Sequence, residues 1–485
     1  MAAAFGPKAA AATKKPCPVP LFTSNYPSGC TSPPSGKPCR PKEGLISTKT
    51  QTFETVAPQE RAFLVGVELK GARALIPVDD SLEELTRLAE TAGIDVLGKT
   101  TQALERPYAA TYIGPGKIEE IKILMAELKA DVIIFDDELS PRHQRELEKI
   151  FGEEIKIIDR TALILDIFAL HANTREGKLQ VELAQLEYRV PRLTRLWTHL
   201  ARQAGGRAGG STGGVGVRGP GETQLETDRR EIGHRISAIK KDLEDVRAHR
   251  ERHRAKRQQT ELQVVAIVGY TNAGKSTLLN RLSDAGVLSA DMLFATLDPT
   301  TRKVKMPGGR EVLFTDTVGF IQKLPTEIVA AFRATLEEIA EADLLLHIVD
   351  ATHPNAIAQI DAVEDILAEL EVDQMPMVMA LNKADLLPPG RDPIRELDIE
   401  GPAVVVSAAT GHGMEALLTA VEAVMVQSMK PLQVRLPYKR GDLLSLFYER
   451  GQVDSEEHAG DGVVVYGRLP ARLIPYFAPY LLTNA

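Results

Sequence analysis

Cysteine is scarce in this chain of 485 residues: only Cys17, Cys30 and Cys39 are present, all near the start. Three thiols make neither a disulfide framework nor a four-ligand zinc site. The cysteine-free remainder suits a reducing compartment. Aromatic residues are few, at 5%, which argues against extended base-stacking surfaces. Positive charge is in deficit, with 58 Lys and Arg against 66 Asp and Glu and a net charge of -8. That excludes a uniformly basic nucleic-acid binder but leaves room for a local basic patch. Long apolar runs are missing too. The nearest, Thr161 to Leu170, is interrupted by Asp166 and falls short of the roughly 18 residues a membrane span needs. The first residues lack the apolar core of a secretory signal. Residues 1–58 are acid-poor and rich in Ser, Thr, Pro and Lys. They read as a disordered extension, with an organellar transit peptide as the alternative.

What is present is ordinary for a soluble protein: 44% hydrophobic and 26% charged residues. The length predicts roughly two to four domains. Order is expected to begin with the strand-like run Ala62 to Leu69. Ser81 to Glu90 reads as an amphipathic helix, with Ser81 and Glu84 spaced as a capping box. Asp131 to Phe135 and Ile155 to Asp159 read as strands. Ser140-Pro141 reads as the N-cap and first turn of a helix between them. This alternation predicts an α/β domain over residues 59–203. Within it, Gly114-Pro-Gly-Lys117 follows the strand-like run Ala110 to Ile113. It is either a tight turn or a second phosphate site, although its glycine spacing fits neither phosphate-loop pattern. Residues 204–260 form a glycine-rich segment and then a long helix from Glu222 to about Arg257. Leu225, Ile232, Ile236, Ile239, Leu243 and Val246 give it one apolar seam, expected to pack as a hairpin on the N-terminal domain. The helix ends in Arg247, Arg250, Arg252, Arg254, Lys256 and Arg257. That is either a solvated face or a source of salt-sensitive phosphate contacts.

The chemistry is concentrated in residues 261–428. Leu262 to Val268 is a β-rich run that enters Gly269-Tyr270-Thr271-Asn272-Ala273-Gly274-Lys275-Ser276. That octet fits G-x-x-x-x-G-K-[ST], and Thr277 continues as a helix, the context that a phosphate loop requires. Backbone N–H groups and the helix N-terminus would cradle the phosphates. Lys275 would reach the β- and γ-phosphates, and the Ser276 hydroxyl would bind Mg²⁺. Asp316-Thr317-Val318-Gly319 ends a second strand; Asp316 is expected to hold Mg²⁺ through water and the Gly319 amide to sense the γ-phosphate. Asn382-Lys383-Ala384-Asp385 ends a later strand. A carboxylate at Asp385 can accept from guanine's ring N–H and amino group together, and adenine offers no such pair. Ser407-Ala408-Ala409 would supply a backbone N–H to the guanine oxygen. The first switch belongs in Phe294-Ala295-Thr296-Leu297-Asp298-Pro299-Thr300-Thr301-Arg302. Thr296 is the choice for the Mg²⁺ and γ-phosphate contact, with Thr300 and Thr301 as rivals. The strand-helix succession predicts a doubly wound, mostly parallel sheet with GTP at the strand carboxyl ends. Lys275, Thr296 and Gly319 are the expected catalytic groups. Phe320 stands where signalling GTPases often carry a water-positioning Gln, so slow intrinsic hydrolysis is expected.

Phe294-Ala-Thr-Leu-Asp298, Asp316-Thr-Val-Gly-Phe320, Gly219-Pro-Gly-Glu-Thr-Gln-Leu-Glu-Thr-Asp228 and Tyr112-Ile-Gly-Pro-Gly-Lys-Ile-Glu-Glu120 together resemble the HflX family of translational GTPases. The resemblance spans about residues 60 to 485 and leaves residues 1–58 outside the pattern. It implies an N-terminal α/β domain with a helical hairpin, a P-loop GTPase domain and a small C-terminal α+β domain at 429–485. It also implies a monomeric cytoplasmic protein that binds GTP, GDP and Mg²⁺ and partners the large ribosomal subunit and its RNA. The implied activity is ribosome-stimulated GTP hydrolysis with splitting of stalled or idle ribosomes, the glycine-rich loop reaching toward the peptidyl-transferase centre. The alternatives are a GTP-dependent anti-association or assembly factor of the large subunit, or ATP-dependent RNA remodelling by the N-terminal domain.

Overall fold

The computed structural model describes residues 59–71, 76–152, 154–193, 220–258, 262–283, 293–294, 299–323, 339–340, 342–470 and 473–482, without the side chains of 220–225, 247 and 249–258. The part from Pro58 onward is one compact unit. The described residues form an α/β protein with three sheets.

The N-terminal sheet is parallel throughout, in the order β2-β1-β3-β4. Its strands are β1 (Arg61–Leu69), β2 (Asp95–Leu104), β3 (Val132–Phe135) and β4 (Lys156–Asp159). β1 and β3 are buried almost end to end, as parallel strands covered on both faces must be. Alternation along β1 sends Phe63 and Val65 toward α2 (Pro115–Leu128) and α3 (Pro141–Phe151). Ala62 and Leu64 face the opposite way, toward α1 (Val78–Thr91) and α4 (Arg160–His171). Ser140 caps α3 by accepting from the His143 N–H, with Pro141 in the first turn, as its sequence predicts.

Two local expectations fail. The first helix begins at Val78 after Pro77 and no side chain caps it. Ser81 lies within it, buried, and its hydroxyl donates to Asp136 instead. Ala110 to Ile113 is a turn closed by a Tyr108–Tyr112 bridge, not a strand. The strand in that region is β2, an edge strand whose polar residues stay partly solvated and so carry no apolar signature.

α5 (Arg175–Arg189) and α6 (Pro220–Gln258) form the expected hairpin. α6 has 39 residues and so is about 58 Å long. Ile239 is its buried anchor, with Ile232, Ile236, Leu243 and Val246 half-buried beside it. Arg235–Glu182 and Lys240–Glu187 ion pairs flank the seam. The glycine-rich stretch before it and the side chains of its basic end lie outside the described residues.

The second sheet runs β10-β9-β8-β5-β7-β6 and is parallel except for β6. Its strands are β5 (Val264–Gly269), β6 (Thr300–Lys305), β7 (Glu311–Asp316), β8 (Leu344–Asp350), β9 (Met377–Asn382) and β10 (Ala403–Val405). The helices are α7 (Lys275–Leu282), α8 (Ala356–Glu369) and α9 (Met414–Ser428). Chain order reverses at β5, so the crevice beyond its carboxyl end is a topological switch point. One face is sealed by α7 and α9 over Val265, Ile267, Leu346 and Val378. On the other face the core runs from Val268 and Leu345 through Phe294 and Phe320 into Phe168 and Leu82 of the N-terminal part. The last sheet is antiparallel, β11-β13-β12 (Lys430–Pro437, Gly462–Leu469, Gln452–Ala459). It is packed on α10 (Gly441–Arg450) through Phe447 and Phe477. Among the described residues, no helix is long and apolar enough to cross a membrane.

Candidate active site

β5 delivers its last residue, Gly269, into a loop that ends on the first turn of α7. The loop needs backbone that L-residues adopt reluctantly: Gly274 has φ +97° and Asn272 φ +60°. The Lys275 ammonium folds back along the loop and donates to the carbonyls of Gly269 (3.1 Å) and Tyr270 (2.8 Å). Burial pushes Lys275 down to about 8, with Asp316 opposing the shift. A phosphate group would supply the counter-charge this desolvated cation needs.

Asp316 ends β7 beside α7, and its Oδ2 accepts from the Ser276 hydroxyl at 2.7 Å. Among the described residues no group of three or more His, Cys, Asp or Glu could hold a metal. A hydroxyl and a carboxylate side by side nevertheless suit Mg²⁺, which takes hard oxygen donors. It usually binds through one or two protein groups, with waters and substrate phosphates completing the shell. Thr317 secures the loop by donating to the Ile267 carbonyl at 2.7 Å. Val318 is buried. Gly319 is pressed onto the phosphate loop so closely that a Cβ there would lie 2.9 Å from Thr271 Cγ2.

The residues expected to read the base converge from β9 and from the loop after β10. Asn382 is buried and two-handed: its amide donates to the Ala273 carbonyl (2.8 Å) and accepts from the Ala408 N–H (2.9 Å). It therefore ties the phosphate loop to the Ser407–Ala409 loop. Ser407 donates to Asp385 at 2.5 Å, fixing one carboxylate oxygen. Lys383 has φ +65° and pairs with Asp350 at 2.7 Å. Burial would raise the Asp350 carboxyl, but Lys383 and Thr352 hold it below the usual range. The Ala384 N–H is taken by the Val406 carbonyl. Arg281, on α7, donates to the carbonyls of Ala408 and Ala409. No sequence motif marks it, because its role is set only by where the two loops meet.

Phe294 is buried with φ +56° and meets Phe168 edge-on at 4.7 Å between ring centroids. Ala295, Thr296, Leu297 and Asp298 lie outside the described residues. Thr300 and Thr301 start β6, where Thr301 hydrogen-bonds Thr315. Phe320 is buried in the same apolar cluster as Phe294, so its ring is packing rather than a polar group for water. His347 lies on β8, fully buried, and its Nδ1 has no partner among the described residues. Burial, with Lys275 adding to it, pushes the imidazole down to about 4.

At Gly114–Lys117 the groups a phosphate would use are engaged. The Gly114 N–H donates to Gln102 (2.9 Å), and Lys117 pairs with Glu120 (2.8 Å) and bonds Thr100 (3.2 Å). This is a turn that feeds α2.

Family models cover most of the chain. "GTP-binding GTPase N-terminal" matches residues 79–169 and "GTP-binding GTPase Middle Region" residues 171–257. "50S ribosome-binding GTPase" matches residues 264–383 and "HflX C-terminal domain" residues 397–473. The chain is 44% identical over 429 residues to the GTPase HflX of Lacrimispora saccharolytica, covering 88% of this chain and 98% of that protein. It is 43% identical over 386 residues to the GTPase HflX of Escherichia coli, covering 79% and 88%. A similar solved structure is a GTP-binding protein from the hyperthermophilic archaeon Sulfolobus solfataricus in complex with GDP. It is 24% identical, covers 76% of this chain and 99% of that one, and has a TM-score of 0.40.

Proposed function

Because the chain belongs to the HflX family of GTPases, we propose that it binds the large ribosomal subunit and uses GTP to separate stalled or idle ribosomes into subunits. The observation that carries this reading is the junction made by Asn382 between the phosphate loop and the Ser407–Ala409 loop. It supports one ligand that carries both a guanine base and a phosphate chain. The family match to a 50S ribosome-binding GTPase over residues 264–383 supports the ribosome as partner.

In this reading Gly269 to Thr277 wrap the phosphates with backbone N–H groups at the start of α7. Lys275 neutralises the β- and γ-phosphate oxygens. Ser276 and Asp316, joined by Thr296, would hold Mg²⁺, which would supply charge stabilisation to the phosphate being transferred. Gly319 offers its amide to the γ-phosphate. Asp385 accepts from guanine, and an adenine there would leave a carboxylate unpaired. Phe320 gives water no hydrogen bond, so turnover waits for a group supplied on the ribosome. α6 carries a run of basic residues at its end and follows the glycine-rich segment. That puts bare backbone before one end of a 39-residue helix and phosphate-binding charge at its other end, both of use to an RNA-facing element. Ordering of residues 294–302 and 316–324 by GTP favours the ribosome-bound state; splitting draws on binding energy, and hydrolysis releases the factor. A monomer acting in the cytoplasm fits this role.

Sucrose-gradient sedimentation of intact ribosomes with the protein and a non-hydrolysable GTP analogue tests the proposal. The expected result is loss of the intact-ribosome peak with gain of both subunits. An unchanged peak overturns active splitting. If separated subunits then fail to rejoin in the same mixture, the protein is an anti-association factor instead.

A further inference from the structure

The D-x-x-G loop is held at both ends. On one side Phe320 forms a backbone bridge with the phosphate loop. The Thr271 N–H donates to the Phe320 carbonyl (2.8 Å), and the Phe320 N–H donates to the Gly269 carbonyl (3.1 Å). Gly319 consequently lies so near Lys275 that an added Cβ would sit 3.0 Å from its Nζ. A γ-phosphate held by both Lys275 and the Gly319 amide is bulkier than a methyl group. Gly319 and the residues just after it must withdraw to admit it, whereas a diphosphate makes no such demand.

On the other side the same segment is tied to the N-terminal sheet. The Gln322 N–H donates to the Tyr270 hydroxyl (2.9 Å), and the Gln322 amide donates to Ser81 Oγ (3.0 Å). Lys323 Nζ donates to Asp136 Oδ2 and to Asp137 Oδ1, each at 2.6 Å. Behind this contact is a buried network. Tyr270 donates to Glu84 (2.6 Å), Ser81 donates to Asp136 (2.8 Å), and Arg160 spans Asp136 (2.8 Å) and Glu84. Asp136 is 0% exposed, as is Ser81 nearly so, while the Lys323 side chain is 40% exposed. If Lys323 leaves, the buried Asp136 and the partly buried Glu84 are left with Arg160 as their shared cation, and Asp136 loses the partner that most offsets its burial.

We propose that Lys323 is a positioning residue whose ion pair with Asp136 and Asp137 latches the D-x-x-G loop against the phosphate loop, so that a nucleoside triphosphate must disrupt the latch and a diphosphate need not. The latch makes the N-terminal sheet a sensor of the nucleotide and biases the protein toward the diphosphate. The proposal rests on the GTPase reading and is independent of the ribosome.

The test is titration of the full-length protein, without ribosomes, with fluorescent GDP and a fluorescent non-hydrolysable GTP analogue. Lys323→Met should tighten the triphosphate analogue about tenfold, the equivalent of one hydrogen bond to a charged group. GDP affinity should stay within about twofold. Asp137→Asn, which removes a partly exposed partner and spares Arg160, should shift the ratio the same way by less. Lys323→Arg should restore it. An unchanged ratio overturns the latch, as does an equal change in both affinities. Weaker triphosphate binding with GDP unchanged also overturns it, because Lys323 would then support the triphosphate state. A wild-type protein that binds neither nucleotide would refute the GTPase reading instead.

Discussion

Gly274→Ala probes the junction that Asn382 makes between the phosphate loop and the Ser407–Ala409 loop. A Cβ at Gly274 would lie 2.3 Å from Asn382 Nδ2, and the backbone there has φ +97°. Ordinary contact begins at 3.4 Å, so the Asn382 amide must retreat by about 1 Å. Its donor bond to Ala273 (2.8 Å) and its acceptor bond from Ala408 (2.9 Å) then both stretch beyond useful length. Each buried hydrogen bond is worth about 1 kcal/mol net, and more where a partner is left unsatisfied. The left-handed backbone adds about 1 kcal/mol for an L-residue. The sum is roughly 3–5 kcal/mol, divided between folding and nucleotide binding. Urea unfolding and GDP titration on the same protein measure the two shares. The decisive arm is a double-mutant cycle. In an Asn382→Ala background the clash partner is gone, so Gly274→Ala should cost only the backbone strain, about 1 kcal/mol. Full additivity would refute the reasoning, because it would mean that the glycine acts independently of Asn382.

Other outcomes follow from single groups. His347 has an ordinary value of 6.5 and is held near 4 in the fold. The unfolded chain therefore binds the extra proton between those values, so stability is complete above pH 6.5 and falls as pH drops toward 4, by roughly 3 kcal/mol. His347→Leu should flatten that part of the stability profile, and an unchanged slope from pH 4 to 6.5 would count against the buried neutral imidazole. Asp385→Asn should weaken GDP by about 10³-fold or more, since the carboxylate is the group matched to guanine's two donors; isothermal titration with a loss under tenfold would reject that role. Phe320→Gln places an amide among Phe294, Phe168 and Ile321. It should cost about 1–3 kcal/mol in stability and leave ribosome-free turnover slow; a faster basal rate would show that the buried ring is what limits hydrolysis.

The division between what was legible and what was not is physical. Continuous apolar runs such as Val132–Phe135 and Leu344–Asp350 are readable because strands buried on both faces tolerate little else. The Ser140-Pro141 helix start is readable because caps act over three residues. β2 was not, since an edge strand can be polar. Ser81 and Glu84 illustrate the limit most clearly. Their spacing imitates a capping box, yet Ser81 serves Asp136, and Glu84 serves Arg160 and Tyr270 from another part of the chain.

The sequence alone marks the phosphate loop, Asp316-Thr-Val-Gly319 and Asn382-Lys-Ala-Asp385, because each motif is written in a few consecutive residues. Tertiary structure alone decided that Asn382 braces the phosphate loop, that Arg281 anchors the Ala408–Ala409 turn and that Phe320 is buried. It also decided that Lys323 meets Asp136 across 187 residues of chain. Such contacts depend on how separate sheets pack, and no local spacing records that.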